Sequence, residues 1–389
     1  MDDPLLAFRP EFPILARTTY LVSNSLGAMP RNVPDRLAEY VDQWAELGVR
    51  AWANGWWEMP IAVGDEIAPL IGAPSGSVAM FANVTTAQAA VLTSLEYAAP
   101  RDKIVMTALD FPSVRYVYDQ LGSRLGATID VVPSGDGIGI ETDRLLAAID
   151  ERTRLVSISH VLFRSAFIVD VEAVCRRAHE VGALVSLDSF HAIGVLPVDV
   201  VAMGVDFMTG GVLKWLCGGP GGCFLYTAPD VSGRLAPAFT GWMAHETPFG
   251  FAPRMEYSSG PTRWLNGTPA IPALFAALEG PRLVRRAGVH RIREKSIRQT
   301  TRLIELADAR GFAITAPRDA AVRGGTVAFA VPHAAEVAKF LLSRNVIIDY
   351  RPDAGIRVAP HFYTSDQELE TAVDLIDEAL RVGSWREFT

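Results

Sequence analysis

The sequence predicts an α/β protein with a large domain, built on a mostly parallel sheet flanked by helices, and a smaller α+β domain at the C-terminus. Two observations support this. From about residue 78 to 226, short apolar or β-branched runs alternate with helix-length amphipathic stretches, as in βαβ units. The chain also has 389 residues, 49% of them hydrophobic, which is too long for one compact module.

The predicted elements of the large domain alternate between strand and helix without interruption. In chain order they are SVAMF, TTAQAAVLTSLEYA, KIVMTA, SVRYVYDQLGSRLG, ATIDVVP, ETDRLLAAIDE, RLVSISHV, VEAVCRRAHEVG, ALVSLD, VDFMTGG and GGCFLYT. In such sheets ligands bind at the carboxyl ends of the strands. We therefore expect Asp188, and the loop after Phe81, to lie at that edge.

The C-terminal part begins after an irregular, Pro- and Gly-rich segment at about 237–272. PRLVRRAGVHRIREKSIRQTTRLIELADARG predicts one long amphipathic helix, and the later elements are GGTVAFAV, AAEVAKFLLSRN, VIIDYR, GIRVAP and SDQELETAVDLIDEALRVG. The expected division is an N-terminal arm and helix at 1–50 that pack with the small domain, a large cofactor-binding domain at 51–280 and a small domain at 281–389.

Composition restricts the possible partners. The net charge is −8 without acidic or basic blocks, which favours a small-molecule substrate and argues against nucleic acid. The start, MDDPLLAFRPEFPIL, resembles neither a secretory signal nor a membrane span, so a cytoplasmic location is expected. The three cysteines lack metal-site spacing and are expected to be structural thiols, with no metal bound.

Lys214 is the first candidate catalytic residue. Lysine is scarce in this chain, and Lys214 lies in GGVLKWLCGGPGG between apolar residues and glycines. Burial in apolar surroundings lowers the pKa of an amine, and the neutral form is the nucleophile that condenses with a carbonyl. The alternative is a lysine at a strand end whose amine simply reaches solvent.

Asp188 and His191 are the second and third candidates. Asp188 ends the run ALVSLD, where a carboxylate can keep a pyridine nitrogen protonated, as pyridoxal phosphate (PLP) requires. The alternatives are a helix-capping Asp and a histidine packed in a turn. Thr85 and Thr86 follow a strand and open a helix, which suits a phosphate group.

The chain resembles the kynureninase-like enzymes of the class V aminotransferase group, which are fold-type I PLP enzymes. The resemblance covers nearly the whole chain, and the segments that carry it are YLVSNSLGAMPRNVP, RAWANGWWEMP, DFPSV, SHVLFRS, SLDSFHAIGVLPVDV, LKWLCGGPGG, GW at 241–242 and RWLNGTPAIPAL. It implies a PLP enzyme that acts on an α-amino acid, and a homodimer.

The resemblance also implies roles for individual residues. The cofactor would be bound by Lys214, Asp188, His191, Phe111, Thr85, Thr86, Trp242 and Thr268, with Thr268 coming from the neighbouring subunit. Arg357, in GIRVAP, would bind the substrate α-carboxylate, because a guanidinium matches that group in geometry. Ser25 and Trp57 would line the pocket for the substrate side chain.

The chain departs from the family pattern at four positions. Leu213 replaces a tyrosine beside the lysine, Val114 replaces an aspartate, and Leu162 and Phe163 replace an asparagine and a tyrosine. Hydrolytic cleavage of a Cβ–Cγ bond is the favoured reaction. An aminotransferase, a Cβ-lyase or desulfurase, and a non-catalytic protein that keeps the fold remain alternatives.

Overall fold

The computed structural model describes residues 3–389, which form two main sheets and their covering helices. The strands, in chain order, are β1 Thr19–Tyr20, β2 Val78–Phe81, β3 Lys103–Thr107, β4 Thr128–Val132, β5 Thr153–Ser159, β6 Leu184–Asp188, β7 Phe207–Gly211, β8 Cys223–Thr227, β9 Ala313–Ile314, β10 Val327–Ala330, β11 Val346–Ile347, β12 Asp349–Arg351 and β13 Gly355–Val358.

The α-helices surround these sheets. In chain order they are α1 Val33–Leu47, α2 Met59–Ile67, α3 Val84–Thr93, α4 Pro112–Val117, α5 Thr142–Ala147, α6 Val171–Glu180, α7 Pro229–Ser232, α8 Ile271–Ala277, α9 Glu279–Ala287, α10 Val289–Asp308, α11 Ala334–Ser343 and α12 Asp366–Val382.

The large sheet has seven strands in the order β2-β8-β7-β6-β5-β3-β4. Its strands from β7 to β4 are parallel, and only β8, which pairs with β2 and β7, runs antiparallel to its neighbours. Strands such as β3, β7 and β8 are buried along their whole length because helices cover both faces. The predicted fold class is therefore confirmed.

The parallel arrangement brings several strand ends to one edge of the sheet. Strands β3, β5, β6 and β7 point the same way, so the loops that follow them are neighbours. These loops begin near Ala108, His160, Ser189 and Val212. The edge is the one at which open α/β sheets bind ligands.

The C-terminal sheet is antiparallel, with the order β12-β13-β10-β9. Apolar residues of α10, α11 and α12 pack against it in a core that includes Leu303, Val337 and Val373. The N-terminal strand β1 pairs in parallel with β11, which joins the start of the chain to this part of the fold. The division of the chain at residues 50 and 280 stays a prediction.

Three predicted elements differ from the structure. The long helix is broken at Gly288, whose φ of 84° lies outside the helical region and separates α9 from α10. The run VIIDYR forms two short strands because β11 pairs with β1 whereas β12 pairs with β13. The helix predicted from Ser113 continues beyond α4 as a π-helical turn at Tyr118–Gly122.

Candidate active site

A cavity of about 150 Å³ opens at the carboxyl ends of the parallel strands. Its apolar wall consists of Val84, Phe111, Val161, Phe163, Phe190 and Leu213. Its polar groups come from Ser159, Asp188, His191 and Lys214. The structure thus brings together four residues that the sequence singled out from distant segments: Phe111, Asp188, His191 and Lys214.

Asp188 is the last residue of β6 and is only 6% exposed. One carboxylate oxygen, Oδ1, accepts the amide hydrogen of Phe190 at 3.0 Å, so the capping role considered from the sequence is partly real. The other oxygen has no hydrogen-bond partner among the described residues. Burial raises the pKa of Asp188 to about 6, although the Phe190 amide and the charge of Lys214 oppose this shift.

Lys214 lies in the turn between β7 and β8. The amide of Cys217 donates to the carbonyl of Lys214 at 2.9 Å, and Gly27 donates to the carbonyl of Leu213 at 2.8 Å. A Cβ on Gly27 would approach the Lys214 carbonyl to 2.2 Å, so only glycine allows this close approach. The backbone that carries the amine is therefore fixed from two sides.

The amine of Lys214 faces aromatic rings and one histidine. Its Nζ lies 5.5 Å from the centre of the Phe111 ring and 5.7 Å from that of Phe190. Burial lowers the pKa of Lys214 to about 7, while the Asp188 carboxylate acts in the opposite direction. A large fraction of the amine is thus neutral near pH 7, as a nucleophilic amine must be.

His191 is the hydrogen-bond partner of Lys214. Nζ of Lys214 lies 2.5 Å from Nε2 of His191, whose side chain is buried. Burial lowers the pKa of His191 well below its usual value, and the charges of Lys214 and Arg357 add to that effect. His191 is therefore a neutral imidazole that shares a hydrogen bond with the amine and fixes its position.

Asp110 fixes the position of Phe111. Its two carboxylate oxygens accept the amide hydrogens of Thr107 and Ser159, each at 2.7 Å, and so tie the end of β3 to the end of β5. Phe111 begins the next turn, and its ring meets the ring of Phe163 edge to face at 5.3 Å. An aromatic wall of the cavity thus depends on a buried carboxylate.

The start of α3 borders the same cavity through Val84. Asn83 is the helix cap, since its side chain accepts the Thr86 amide at 3.0 Å and its carbonyl accepts the Thr86 hydroxyl at 2.9 Å. The amides of Val84 and Thr85 belong to the first turn, where backbone donors lack intrahelical partners. Asn83 was not identified from the sequence, although an Asn before a helix is a recognised capping signal.

The residues present fit PLP. Asp188 offers a free carboxylate oxygen for a pyridine nitrogen, Lys214 offers a neutral amine for the aldehyde, and Phe111 offers a ring for stacking. The first-turn amides of α3, with Thr85 and Thr86, would bind the phosphate. Asp188, Lys214 and Phe111 share the cavity, whereas Thr85 and Thr86 lie next to its lining residue Val84.

Arg357 is more constrained than the sequence suggested. It is 2% exposed, donates to Asp349 at 2.6 Å and also donates to the carbonyl of Phe163. Its Nε, in contrast, is buried without a partner. Asp349 was missed, although it is the only acidic residue in the run VIIDYR.

Seven predicted residues are absent from the lining of the cavity, namely Thr85, Thr86, Arg357 and four others. Trp57 and Trp242 contact each other with ring centres 5.3 Å apart, in an aromatic group that also contains Phe249. Thr268 is exposed and borders a separate 170 Å³ pocket with Phe81. Ser25 is half-buried in the loop beside the Lys214 turn. Their roles stay predictions.

The four departures from the family pattern separate into two pairs. Leu213 and Phe163 line the cavity, so their apolar side chains change its chemistry directly. Val114 and Leu162 are buried at 2% and 1% exposure within the hydrophobic core. Neither Val114 nor Leu162 belongs to the lining of the cavity.

Two negative findings concern the described residues, 3–389. They contain no group of three or more His, Cys, Asp or Glu side chains arranged to hold a metal ion. Within the same range, no helix combines the length and the apolar character needed to cross a membrane.

Comparison with known proteins identifies one matching family and several similar enzymes. The family model described as aminotransferase class-V matches residues 19–371. Kynureninase of Burkholderia pseudomallei (strain 1106a) is 30% identical over 398 residues, covering 99% of this chain and 94% of the relative. Kynureninase of Pseudomonas fluorescens is 31% identical over 399 residues, with the same coverage.

Solved structures share the fold. The apo cysteine desulfurase of Thermococcus onnurineus NA1 superposes with a TM-score of 0.87 at 22% identity, covering 98% of this chain and 99% of that one. The cystine C-S lyase C-DES, in complex with cysteine persulfide, gives 0.85 at 21% identity, covering 94% and 99%. A variant of C-DES holds glycine covalently linked to its PLP cofactor.

Proposed function

Because this chain belongs to the aminotransferase class-V family and is a PLP-dependent enzyme acting on an amino acid, we propose that it hydrolyses the Cβ–Cγ bond of a kynurenine-type amino acid. The observation that carries the proposal is the similarity to kynureninases over 99% of the chain, 30% identical in the first comparison. The cavity supports the proposal because Lys214, Asp188 and His191 are the groups that would face PLP.

Each of these groups has a separate task in the proposal. PLP, when bound, supplies an electron sink for negative charge at the substrate α-carbon. Asp188 holds a proton at the ring nitrogen, since its free oxygen accepts there. Lys214, neutral near pH 7, removes the proton from the α-carbon, and His191 at 2.5 Å orients Nζ through its hydrogen bond.

A second candidate, a Cβ-lyase, is favoured by one observation. Hydrolysis of a ketone needs a proton delivered near its carbonyl, yet Leu213 and Phe163 present only carbon atoms to the cavity. Elimination of a leaving group from Cβ needs only α-proton removal by Lys214, followed by departure of that group. An aminotransferase would use the same lysine, but no feature of the cavity favours it over the other two.

A desulfurase that carries sulfur on its own cysteine is disfavoured. Cys175, Cys217 and Cys223 are all buried and unpaired. Burial raises the pKa of Cys175 and of Cys217 to about 12, so neither thiol is an accessible nucleophile. Three reduced thiols also support the proposal of a cytoplasmic location.

We also propose that the active enzyme is a homodimer in which Thr268 of one subunit reaches the phosphate bound by the other. Thr268 is exposed on this chain and therefore available to a partner. Thr268→Ala is expected to weaken PLP retention about 2- to 12-fold, as loss of one hydrogen bond of about 0.5–1.5 kcal/mol implies. Sedimentation at micromolar concentration tests the dimer, and a monomer with full activity contradicts it.

One panel of substrates tests the reaction. The purified holoenzyme is incubated with L-kynurenine, 3-hydroxykynurenine, L-cystine and the common amino acids, while products and the cofactor absorbance are followed. Hydrolysis of L-kynurenine consumes one water and releases anthranilate and L-alanine. Pyruvate and ammonia from cystine would instead establish the lyase, and no turnover of any substrate would favour a non-catalytic protein.

A further inference from the structure

Unsatisfied polar atoms are concentrated beside the Lys214 turn. Among the described residues, 16 buried side-chain N or O atoms lack a hydrogen-bond partner. Five of them belong to Asn24, Trp215, Arg357 and His361. Buried polar groups nearly always have partners, so such a concentration indicates that something polar binds there.

These residues lie on three segments that meet. The N-terminal loop contacts the Lys214 turn, since the amide of Gly27 donates to Leu213. The same loop contacts the end of β13, because Val22 bridges to Ala359 and the Ala359 amide donates to Leu21 at 2.8 Å. Asn24 therefore lies in a loop held between Lys214 and the strand that carries Arg357.

Asn24 stands out among them. It is 1% exposed, and both its Oδ1 and its Nδ2 are buried without a partner, which is true of no other side-chain amide in residues 3–389. Its neighbour Ser23 is also buried but is satisfied, with its hydroxyl 2.8 Å from the Tyr363 hydroxyl. Leaving a whole amide unpaired destabilises the fold unless a ligand completes it.

Arg357 needs help to bind an anion. Its charge is already opposed by Asp349 at 2.6 Å, and both side chains are 3% exposed. A substrate carboxylate that approached Arg357 would also face the negative charge of Asp349. Nε is the one guanidinium nitrogen of Arg357 without a partner, and a hydrogen bond from it would leave other lone pairs of a carboxylate free.

We propose that Asn24 is a specificity-determining residue that donates from Nδ2 to the α-carboxylate of the substrate, beside the Nε donor of Arg357. This inference rests on the proposed function only in that the ligand is an α-amino acid. The amide supplies two further donors without adding charge. Asn24 thereby selects amino acids over the corresponding amines.

The test compares L-alanine with ethylamine, which is the same molecule without its carboxylate. Dissociation constants are measured on the holoenzyme from changes in cofactor absorbance, for the unmodified protein and for Asn24→Asp. The substitution keeps the shape, removes both donors and adds a negative charge. The dissociation constant for L-alanine is expected to rise about 10- to 100-fold, and that for ethylamine less than about twofold.

The matched control is Ser23→Ala, which alters the adjacent buried residue and should change neither constant. Equal effects of Asn24→Asp on the two ligands, or no effect on either, would overturn the inference. So would a failure of the unmodified protein to distinguish the two ligands. Neither ligand has a Cβ–Cγ bond to cleave, so the result is independent of whether kynurenine is hydrolysed.

A stability measurement separates a ligand-binding amide from a structural one. Asn24→Ala in the ligand-free protein is expected to leave Tm within about 1 °C, or to raise it, because no hydrogen bond within the protein is lost. A decrease of about 2–4 °C or more, the size expected for a lost internal hydrogen bond, would show that Asn24 has a partner in the protein or in a buried water and would overturn the inference.

Discussion

Two buried lysines of this chain, Lys295 and Lys214, differ in the groups that surround their amines. Lys295, on α10, is 6% exposed, donates to the carbonyl of Phe362 at 2.7 Å and pairs with Asp3 at 2.7 Å. Lys214 has no carboxylate within 4.0 Å among the described residues, and its partners are His191 and two aromatic rings. Of these two amines, only that of Lys214 lacks a counter-ion in direct contact.

The different surroundings of the two amines distinguish a structural lysine from a nucleophilic one. Burial lowers the pKa of both amines, but at Lys295 the hydrogen bond and charge of Asp3 work against that shift. At Lys214 the Asp188 carboxylate opposes burial without contact, and the pKa remains about 7. A buried lysine therefore becomes a nucleophile when its counter-ion is held at a distance.

Replacing each lysine by alanine should give the largest difference between the two positions. Lys214→Ala is expected to lower turnover by about four orders of magnitude or more, as loss of a covalent nucleophile does, while PLP still binds non-covalently. Lys295→Ala should leave turnover per folded molecule within about threefold. Borohydride reduction and peptide mapping identify the lysine attached to PLP, and attachment at Lys295 would refute the site.

Asp188→Asn tests the distant counter-ion. Turnover should fall about 100- to 1000-fold, since a neutral amide cannot stabilise the protonated ring nitrogen. Because the Asp188 charge raises the pKa of Lys214, its removal should lower that pKa below about 7. Amine-reactive labelling of Lys214 in the cofactor-free protein at several pH values measures the shift, which should be towards lower pH. A near-normal rate would leave Asp188 as only a turn cap.

Lys295→Met tests whether the buried Lys295 stabilises the fold. Asp3 would lose its buried partner, so the free energy of unfolding should fall by about 2–3 kcal/mol. The control is Lys339→Met, because Lys339 makes only an exposed bond to the Phe388 carbonyl at 3.0 Å. Lys339→Met should lower the free energy of unfolding by less than about 0.5 kcal/mol. Equal costs in urea unfolding would mean that the Asp3 pair contributes nothing.

The sequence predicted the polar residues of the cavity better than their surroundings. Asp188 ends β6, and His191 and Lys214 lie three residues beyond the ends of β6 and β7, where the strands of a parallel sheet meet at one edge. The Asp3 pair and the position of the Asn24 loop depend on contacts between segments hundreds of residues apart, for which no local pattern exists. Asp349 lies only eight residues from Arg357, and the pairing of β12 with β13 brings the two together. Gly288 shows a local failure, because a glycine within an amphipathic pattern does not reveal its φ.

Leu213→Tyr should change PLP binding and turnover less than the other substitutions do. It tests whether the apolar surroundings of Lys214 affect these properties. Leu213 lines the cavity next to the lysine, so a tyrosine there adds one hydroxyl donor to an otherwise carbon-lined wall. One added hydrogen bond is worth about 0.5–1.5 kcal/mol, so PLP should bind about 2- to 12-fold more tightly. Turnover of the best substrate should change less than about threefold.

The control for that substitution is Leu213→Phe, which adds the ring without the hydroxyl. Tighter PLP binding in Leu213→Tyr alone would assign the gain to the hydroxyl, whereas the same gain in both variants would assign it to the ring.

The unmodified protein should cleave L-kynurenine with kcat/KM below about 10⁴ M⁻¹ s⁻¹, the lower end of ordinary enzyme efficiency, because the cavity wall lacks a proton donor at Leu213. A higher value would show that His191 and Lys214 alone deliver every proton that the hydrolysis requires.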